Sequence, residues 1–411
     1  MEKVETAKKF WNRDFILYMI SFDMAEIATA FLRFAIPVYI LTQTGNATLL
    51  GTVMTLSWFP FVLFTSVGGV LADRMNKRRI ITIFNFLIAL LIGIYTIFSG
   101  IFDHFSLTVS LLFLMTSLQS LQSPAFDTIV YQLIPMEQLM KANQVTWVLM
   151  IASGVLAPML AGLMLAHLGL TSLMIASSLL FLLAAGLNSQ LKISFKKTKQ
   201  EQGIFRTSWS DFKSSLRYIG REDEVLKRST IGLFLYALLL FPILTLLPTV
   251  LIHQRLLMGE ASVGFAQGFI MIGGVLGVLL ISKIGKQVTI QKSATLLIVS
   301  SSLMLLTLVL FGLTEHPGLA YGILLVGSLL VNTTLVIYSL NYFTYLGQRT
   351  DEQMVGKIMA FAITVMMLGG TLSQFALGRF FEIFSENLAL AGMILPLVVL
   401  LFSFTIRIKT K

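Results

Sequence analysis

The chain has 411 residues, 56% of them hydrophobic and 12% charged, with a formal net charge of +10 and no cysteine. This composition excludes a water-soluble globular domain, and the missing thiols exclude disulfides, thiolate catalysis and cysteine-based zinc sites. The excess of cations could suggest nucleic acid, but their placement along the chain argues against such a partner.

Twelve apolar segments of spanning length follow in order, at roughly 15–41, 47–72, 80–102, 105–126, 142–166, 168–191, 229–252, 261–282, 293–314, 317–341, 358–378 and 387–406. The predicted fold is therefore an all-α integral membrane protein. Eleven of the segments lack Asp, Glu, Lys and Arg, and only the first is charged within. Of the 30 Lys and Arg residues, 27 fall in the two tails and in the loops of one side, the exceptions being Arg33, Arg255 and Arg379. That asymmetry predicts a multi-pass protein of the cytoplasmic (inner) cell membrane with both termini in the cytoplasm, and it accounts for the positive charge. The stretch before residue 15 is polar and basic, and the apolar run after it is too long for a signal-peptide core, so no cleavable signal is expected.

The first segment carries Asp23, Glu26 and Arg33. Seven residues turn a helix through about 700°, so Glu26 and Arg33 lie nearly on one face, two turns apart. Asp23 is within one turn of Glu26. Carboxylates inside a bilayer are costly unless they face a cavity or a partner. Two adjacent acids opposed by one cation suit a proton switch or a cation-binding site, the alternative being a static network pinning the first helix to its neighbours.

The second segment ends in Gly68-Gly69-Val70-Leu71-Ala72-Asp73-Arg74-Met75-Asn76-Lys77-Arg78-Arg79, and a new apolar run starts at Ile80. The charges of so tight a hairpin belong at a membrane surface. Asp73, at the C-terminus of its own helix, needs a cation or another helix's N-terminus to face. Asn76 is the residue of this turn that best tolerates a left-handed backbone. The stretch resembles the helix 2–3 loop of the major facilitator superfamily, G-x-L-x-D-R-x-G-R-R. Gly69, Leu71, Asp73, Arg74, Lys77 and Arg78 match it, with Asn76 in place of the usual glycine.

Further along, the fourth segment closes on Ser123-Pro124-Ala125, followed by Leu133-Ile134-Pro135 and Lys141-Ala142-Asn143. In the fifth, Gly154-Val155-Leu156-Ala157-Pro158-Met159-Leu160-Ala161-Gly162 strips side chains from one face, which permits close helix approach, and Pro158 favours a bend. That run is similar to the helix-5 motif of facilitator-superfamily antiporters, with Gly154, Pro158 and Gly162 matched and Ala157 and Ala161 replacing glycines. The polar stretch from Lys192 to Arg228 divides the chain into a six-helix bundle at 1–190, a cytoplasmic linker at 191–228 and a second six-helix bundle at 229–411. Ser210, Phe212, Leu216 and Ile219 predict a capped amphipathic helix within that linker. The halves read as a diverged repeat: Pro37 with Gly45-Asn46 corresponds to Pro248 with Gly259-Glu260, and Gly68–Lys77 to Gly277–Lys286.

The Ser123–Ala125 and Leu133–Asn143 stretches, with the helix 2–3 loop and the overall length, are most similar to the macrolide-efflux branch of bacterial drug:proton antiporters. The resemblance implies a twelve-helix transporter of two bundles that exports hydrophobic or amphipathic small molecules by proton-coupled alternating access. Asp23, Glu26 and Arg33 would then couple protons or line the substrate cavity. Gly69, Asp73, Arg74, Lys77 and Arg78 would form the gating loop. Drug antiporters usually carry an arginine in helix 4; Met115 aligns there, and the predicted segment has no charge, so coupling through that arginine does not carry over. A lipid or lysolipid flippase of the same fold, or a non-transporting membrane sensor or scaffold, remains open at this point. Gln119, Asn332 and Asn341 are candidate cavity polar groups. His104, His167, His253 and His316 are too scattered for a metal site. No phosphate-binding loop occurs. No enzymatic activity, cofactor or metal is expected. The expected partners are the small-molecule substrate, protons and membrane lipid, with the chain acting as a monomer.

Overall fold

The computed structural model describes residues 10–98, 105–193, 224–284, 293–350 and 352–406. The Lys3, Lys8 and Lys9 cations, His104, the amphipathic helix sought at 210–219 and the Gly285–Lys286 end of the repeat lie outside them. Among the described residues all regular structure is helical, as expected. The helices are α1 (Arg13–Thr44), α2 (Ala47–Arg74), α3 (Lys77–Phe98), α4 (Phe105–Leu133), α5 (139–168), α6 (170–189), α7 (Val225–Arg255), α8 (Glu260–Ile284), α9 (Ser293–Leu313), α10 (Pro317–Arg349), α11 (Glu352–Ile383) and α12 (Leu388–Ile406).

The α5–α6 boundary follows from length and one glycine. A continuous helix over the 54 residues Met136–Ser189 would far exceed the bilayer's hydrocarbon thickness of about 30 Å. Gly169 breaks it, with φ 75° and ψ 174°, a conformation open to glycine at little cost. α7 also departs from ideality. Five-residue stretches at Tyr236–Leu240 and Leu251–Arg255 wind as π-helix on either side of Pro242 and Pro248. Each proline deletes a backbone donor, and the wider turns re-register the helix around it.

α4 runs further than the sequence suggests, to Leu133 rather than residue 126. Pro124 lies inside the helix without ending it, since a proline costs a membrane helix one bond that neighbouring groups can replace. The expectation that helix 4 is uncharged is corrected by this extension, because Asp127 falls within it.

The described residues group into two compact units. The first comprises Met1–Ile36 and Leu56–Ile204; the second comprises Pro37–Thr55 and Phe205–Lys411. α1 and α2 thus each contribute to both units, and the hairpin joining them packs with the second.

Helices in lipid gain little from hydrophobicity, so close backbone contact and interhelical hydrogen bonds must hold each unit. In the first, a β-carbon on Gly68 would lie 2.5 Å from the Leu121 carbonyl oxygen of α4. Ser21 donates to Asn188 Oδ1 at 2.6 Å, and Gln122 to Asn85 Oδ1 at 3.0 Å. In the second unit, β-carbons on Gly273 and Gly277 would lie 2.3 and 2.8 Å from the carbonyls of Leu329 and Thr333 on α10. Gly68 of α2 and Gly277 of α8 thus play the same part against the fourth helix of their halves, in line with the repeat read from the sequence.

Candidate functional site

The charges of α1 lie in the first unit and are held from three sides. Ser153 Oγ of α5 donates to Asp23 Oδ1 at 2.5 Å, which ties the acid to the residue next to Gly154. Glu26 is half-buried, and its charge is felt by Arg33, Asp127 and Asp23 together. Arg33 stacks its guanidinium over the rings of Trp58 and Phe61, 4.4 and 4.8 Å from their centroids. Its Nη2 donates to Gln119 Oε1 at 3.3 Å, and Gln119 in turn donates to Thr29 Oγ1. The guanidinium is therefore shared between π faces and an amide, while its Nε is buried without a partner. This arrangement accommodates a cation inside the helix bundle.

Asp127 joins this set from α4. Its nearest polar contact is Ser123 Oγ, which donates at 3.5 Å. The carboxylate borders a cavity of about 220 Å³ whose walls include Tyr18, Phe22, Asn143, Thr146 and Trp147. Tyr18 stacks on Phe22 with 6.0 Å between centroids and donates its hydroxyl to the Phe126 carbonyl at 3.3 Å. The sequence reasoning ended helix 4 one residue too early to find Asp127. The missed signal was that Ala125 and Phe126 continue the helix past Pro124, so that Asp127 falls in the next turn.

At the α2–α3 turn, Asp73 and Arg74 are exposed. Lys77 Nζ donates to the Thr128 carbonyl of α4 at 3.3 Å, and Arg78 Nη1 to the Leu191 carbonyl at 3.0 Å. Lys77 is also the cation that feels the charge of Asp73. Asn76 does not adopt a left-handed backbone. Instead its Oδ1 accepts from the Arg78 N–H at 3.0 Å and caps α3, the commoner use of asparagine before a helix. Of the two glycines here, Gly69 faces open space, whereas Gly68 is the one a side chain could not replace.

On α5, Ala157, Pro158, Ala161 and Gly162 are buried, as a packed small-residue face requires. A β-carbon at Gly154, however, would meet nothing within 4 Å. Among the proposed cavity amides, Asn332 donates to the Ile270 carbonyl at 2.6 Å, and Asn341 is buried with its Nδ2 unpartnered. Met115, where an arginine was sought, is fully buried.

One close backbone contact in the second unit was not anticipated. There the start of α2 runs antiparallel to the end of α11. The Ala47 N–H donates to Glu382 Oε2 at 2.6 Å, and Thr55 Oγ1 to the Thr371 carbonyl at 3.0 Å. Between them, β-carbons on Gly51 and Gly378 would lie 2.3 Å from the Gln374 carbonyl and 2.7 Å from the Ala47 carbonyl. Gly45, with φ 63°, turns the chain into α2 and accepts from Gln254 Nε2 at 2.6 Å. The available signal was the four-residue spacing Ala47, Gly51, Thr55, a small-residue stripe like that read on α5.

Twelve membrane-length helices among the described residues, with Asp23, Glu26 and Arg33 half-buried in the first of them, are the build of a multi-pass membrane transporter. Residues 16–406 match the model of the Major Facilitator Superfamily, and the chain belongs to that family. It is 22% identical over 365 residues to Macrolide efflux protein A of Streptococcus pyogenes, covering 87% of each chain. The macrolide-efflux likeness expected from the end of helix 4, the stretch after it and the helix 2–3 loop is thus found. Among solved structures, the fold is similar to a bacterial homologue of the iron transporter ferroportin in an inward-facing state, with 14% identity, a TM-score of 0.73 and coverage of 97% of this chain and 100% of that one. It is likewise similar to the nucleoside transporter NupG, with 13% identity, a TM-score of 0.72 and the same coverage. At such identities the structural likeness shows the fold alone.

Proposed function

We propose that the protein is a secondary active exporter of hydrophobic or amphipathic small molecules, driven by proton entry and working by alternating access. It sits in the cytoplasmic membrane with both termini inside. The observation that carries this reading is the placement of Glu26, half-buried in a spanning helix within electrostatic reach of Asp23, Asp127 and Arg33. Acids so placed are functional far more often than structural. The similarity to Macrolide efflux protein A supports export as the direction.

Glu26 carries the coupling proton. Reached from outside, it is neutralised and weakens its hold on a cationic or polar substrate group, which leaves. Reached from inside, it gives up the proton, and the restored carboxylate attracts the next substrate. Asp23, held to α5 by Ser153, relays that charge change to the helix bearing the small-residue face.

Inverted vesicles or proteoliposomes with and without an imposed proton gradient test the mechanism. Glu26→Gln abolishes gradient-driven export while leaving downhill movement of substrate. Gradient-driven export that survives in the Glu26→Gln, Asp23→Asn double variant overturns the coupling role.

A further inference from the structure

Arg33 is a cation in a spanning helix whose contacts include no acid. Its guanidinium lies over Trp58 and Phe61 of α2, 4.4 and 4.8 Å from the ring centroids, and donates to Gln119 of α4. We propose that Trp58 and Gln119 are positioning residues that hold Arg33 one helical turn short of Glu26, and so decide when Glu26 takes up and gives up its proton. For its purpose the assignment rests on the coupling role of Glu26; for its test it needs no transport.

Three observations carry it. The first is direction. The Cα–Cβ bond of a helical residue tilts toward the helix N-terminus, so Arg33 leans toward Glu26, which lies about 10 Å earlier along the axis. The second is what stops it. Gln119 donates to Thr29 Oγ1, and Thr29 donates to the Ala25 carbonyl at 2.6 Å, so the amide is anchored on α1 between the two charges. Its Oε1 accepts from Arg33 Nη2 at 3.3 Å, and both Gln119 and Thr29 are buried. The third is what holds the cation from the α2 side. The rings of Trp58 and Phe61 lie 6.1 Å apart with their planes tilted by 49°, two faces of a cradle for a planar group. Such contacts attract a cation without neutralising it. They supply no acceptor for Nε, which is buried without a hydrogen bond.

The consequence is electrostatic. A guanidinium in contact with a carboxylate favours its ionised form and would keep Glu26 from taking a proton. Held a turn away, Arg33 acts on Glu26 without binding it. The other charges acting on Glu26 are Asp23 of its own helix, tied to Ser153, and Asp127 of α4. Tyr18 is the further titratable group that feels the charge of Glu26. The spanning stretches 47–72 of α2 and 142–166 of α5 bring no Asp, Glu, Lys or Arg. The balance at Glu26 therefore depends on how far Arg33 advances, and neutral side chains of α2 and α4 fix that distance.

Dicyclohexylcarbodiimide, an apolar reagent that labels protonated carboxyls, reads Glu26 in the purified full-length chain with no substrate or gradient present. Labelling is localised to Glu26 by tandem mass spectrometry across a pH series. The samples are wild type, Trp58→Leu, Gln119→Leu and Trp58→Tyr, each checked for a monodisperse folded peak. At the pH of half-labelling in wild type, labelling falls about fivefold or more in both leucine variants, as when an opposite charge comes within about 4–6 Å. More acidic buffer restores it, which it would not do after a loss of reagent access. Trp58→Tyr keeps a ring under the guanidinium and stays within about twofold of wild type. In an Arg33→Gln background Trp58→Leu has no effect, because the indole acts through Arg33. Unchanged labelling in both leucine variants, an equal fall in the Arg33→Gln background, or no pH-dependent labelling of Glu26 in wild type overturns the assignment. The expected labelling pattern together with gradient-independent transport removes the coupling reading alone. Glu26-dependent, gradient-driven export with labelling unchanged in both leucine variants removes this inference alone.

Discussion

The two ends of α2 are built on opposite principles. At its start, in the second unit, Gly51 meets α11 backbone to backbone, and Ala47 and Thr55 hydrogen-bond to α11 on either side of that contact. Just past its finish, in the first unit, the first turn of α3 holds by long side chains, Lys77 and Arg78 reaching carbonyls at 3.3 and 3.0 Å, while Asp73 at the end of α2 lies exposed. A glycine contact has no adaptable atoms, so it is either made or lost. Flexible cations can exchange one acceptor for another at little cost. α2 therefore starts on a rigid latch of its own and finishes at a turn whose exchangeable latch is supplied by the first residues of α3.

The largest effect is expected at the rigid end. In Gly51→Ala the new methyl falls 2.3 Å from the Gln374 carbonyl oxygen and 2.9 Å from Gly378 Cα. Both are backbone atoms and cannot swing aside, so overpacking of about 1–3 kcal/mol or more is expected. Gly154→Ala is the control, since its methyl meets nothing within 4 Å. Thermal unfolding of the detergent-purified variants, followed by intrinsic tryptophan fluorescence, should show a clear drop for Gly51→Ala and none for Gly154→Ala. Equal midpoints would mean that α2 and α11 do not meet as described.

A smaller effect is expected one turn away. Glu382 Oε2 accepts from the Ala47 N–H in the first turn of α2, where a helix presents unpaired donors and partial positive charge. Asn46 Oδ1 takes a second donor, the Leu49 N–H at 2.9 Å, so removing Glu382 leaves a half-capped terminus. Glu382→Ala should cost about 0.5–2 kcal/mol, as loss of a cap does elsewhere. Glu382→Gln should recover part of it, because an amide oxygen can still accept. If Glu382→Ala unfolds with wild-type midpoint, the carboxylate does not cap α2.

The contrast also separates what was legible in the sequence from what was not. Helix number, the hairpin charges and the α1 acids stood out because a charge in an apolar chain is rare and must be accommodated. Gly51 and Gly378 did not, being two of 30 glycines. Whether a small residue faces a backbone or a void depends on neighbours distant in sequence. Gly154 illustrates the converse: a motif position that the sequence assigns to close packing and that faces open space. Asp127 was hidden by a boundary error at Pro124, since prolines that end helices in water are tolerated inside them in lipid.

The smallest effect on stability, and the most specific on cycling, is expected at Asp73. The side chain is exposed, and the nearest charge acting with it is Lys77, whose Nζ is also engaged with the Thr128 carbonyl. Exposed pairs contribute about 0–1 kcal/mol, so Asp73→Asn should unfold within about 0.5 kcal/mol of wild type. On the export reading its place in the hairpin still matters, because an acid at the C-terminal end of α2 opposes that helix's own dipole and gains from meeting a cation or helix N-terminus elsewhere. Asp73→Asn should then slow export with substrate affinity unchanged, and Asp73→Glu should restore part of the rate. The measurement is initial export rate against substrate concentration in proteoliposomes, paired with the unfolding midpoint. A lowered midpoint with a proportionate loss of rate would make Asp73 a structural residue, and the rigid–exchangeable contrast between the two ends of α2 would fail at its flexible end.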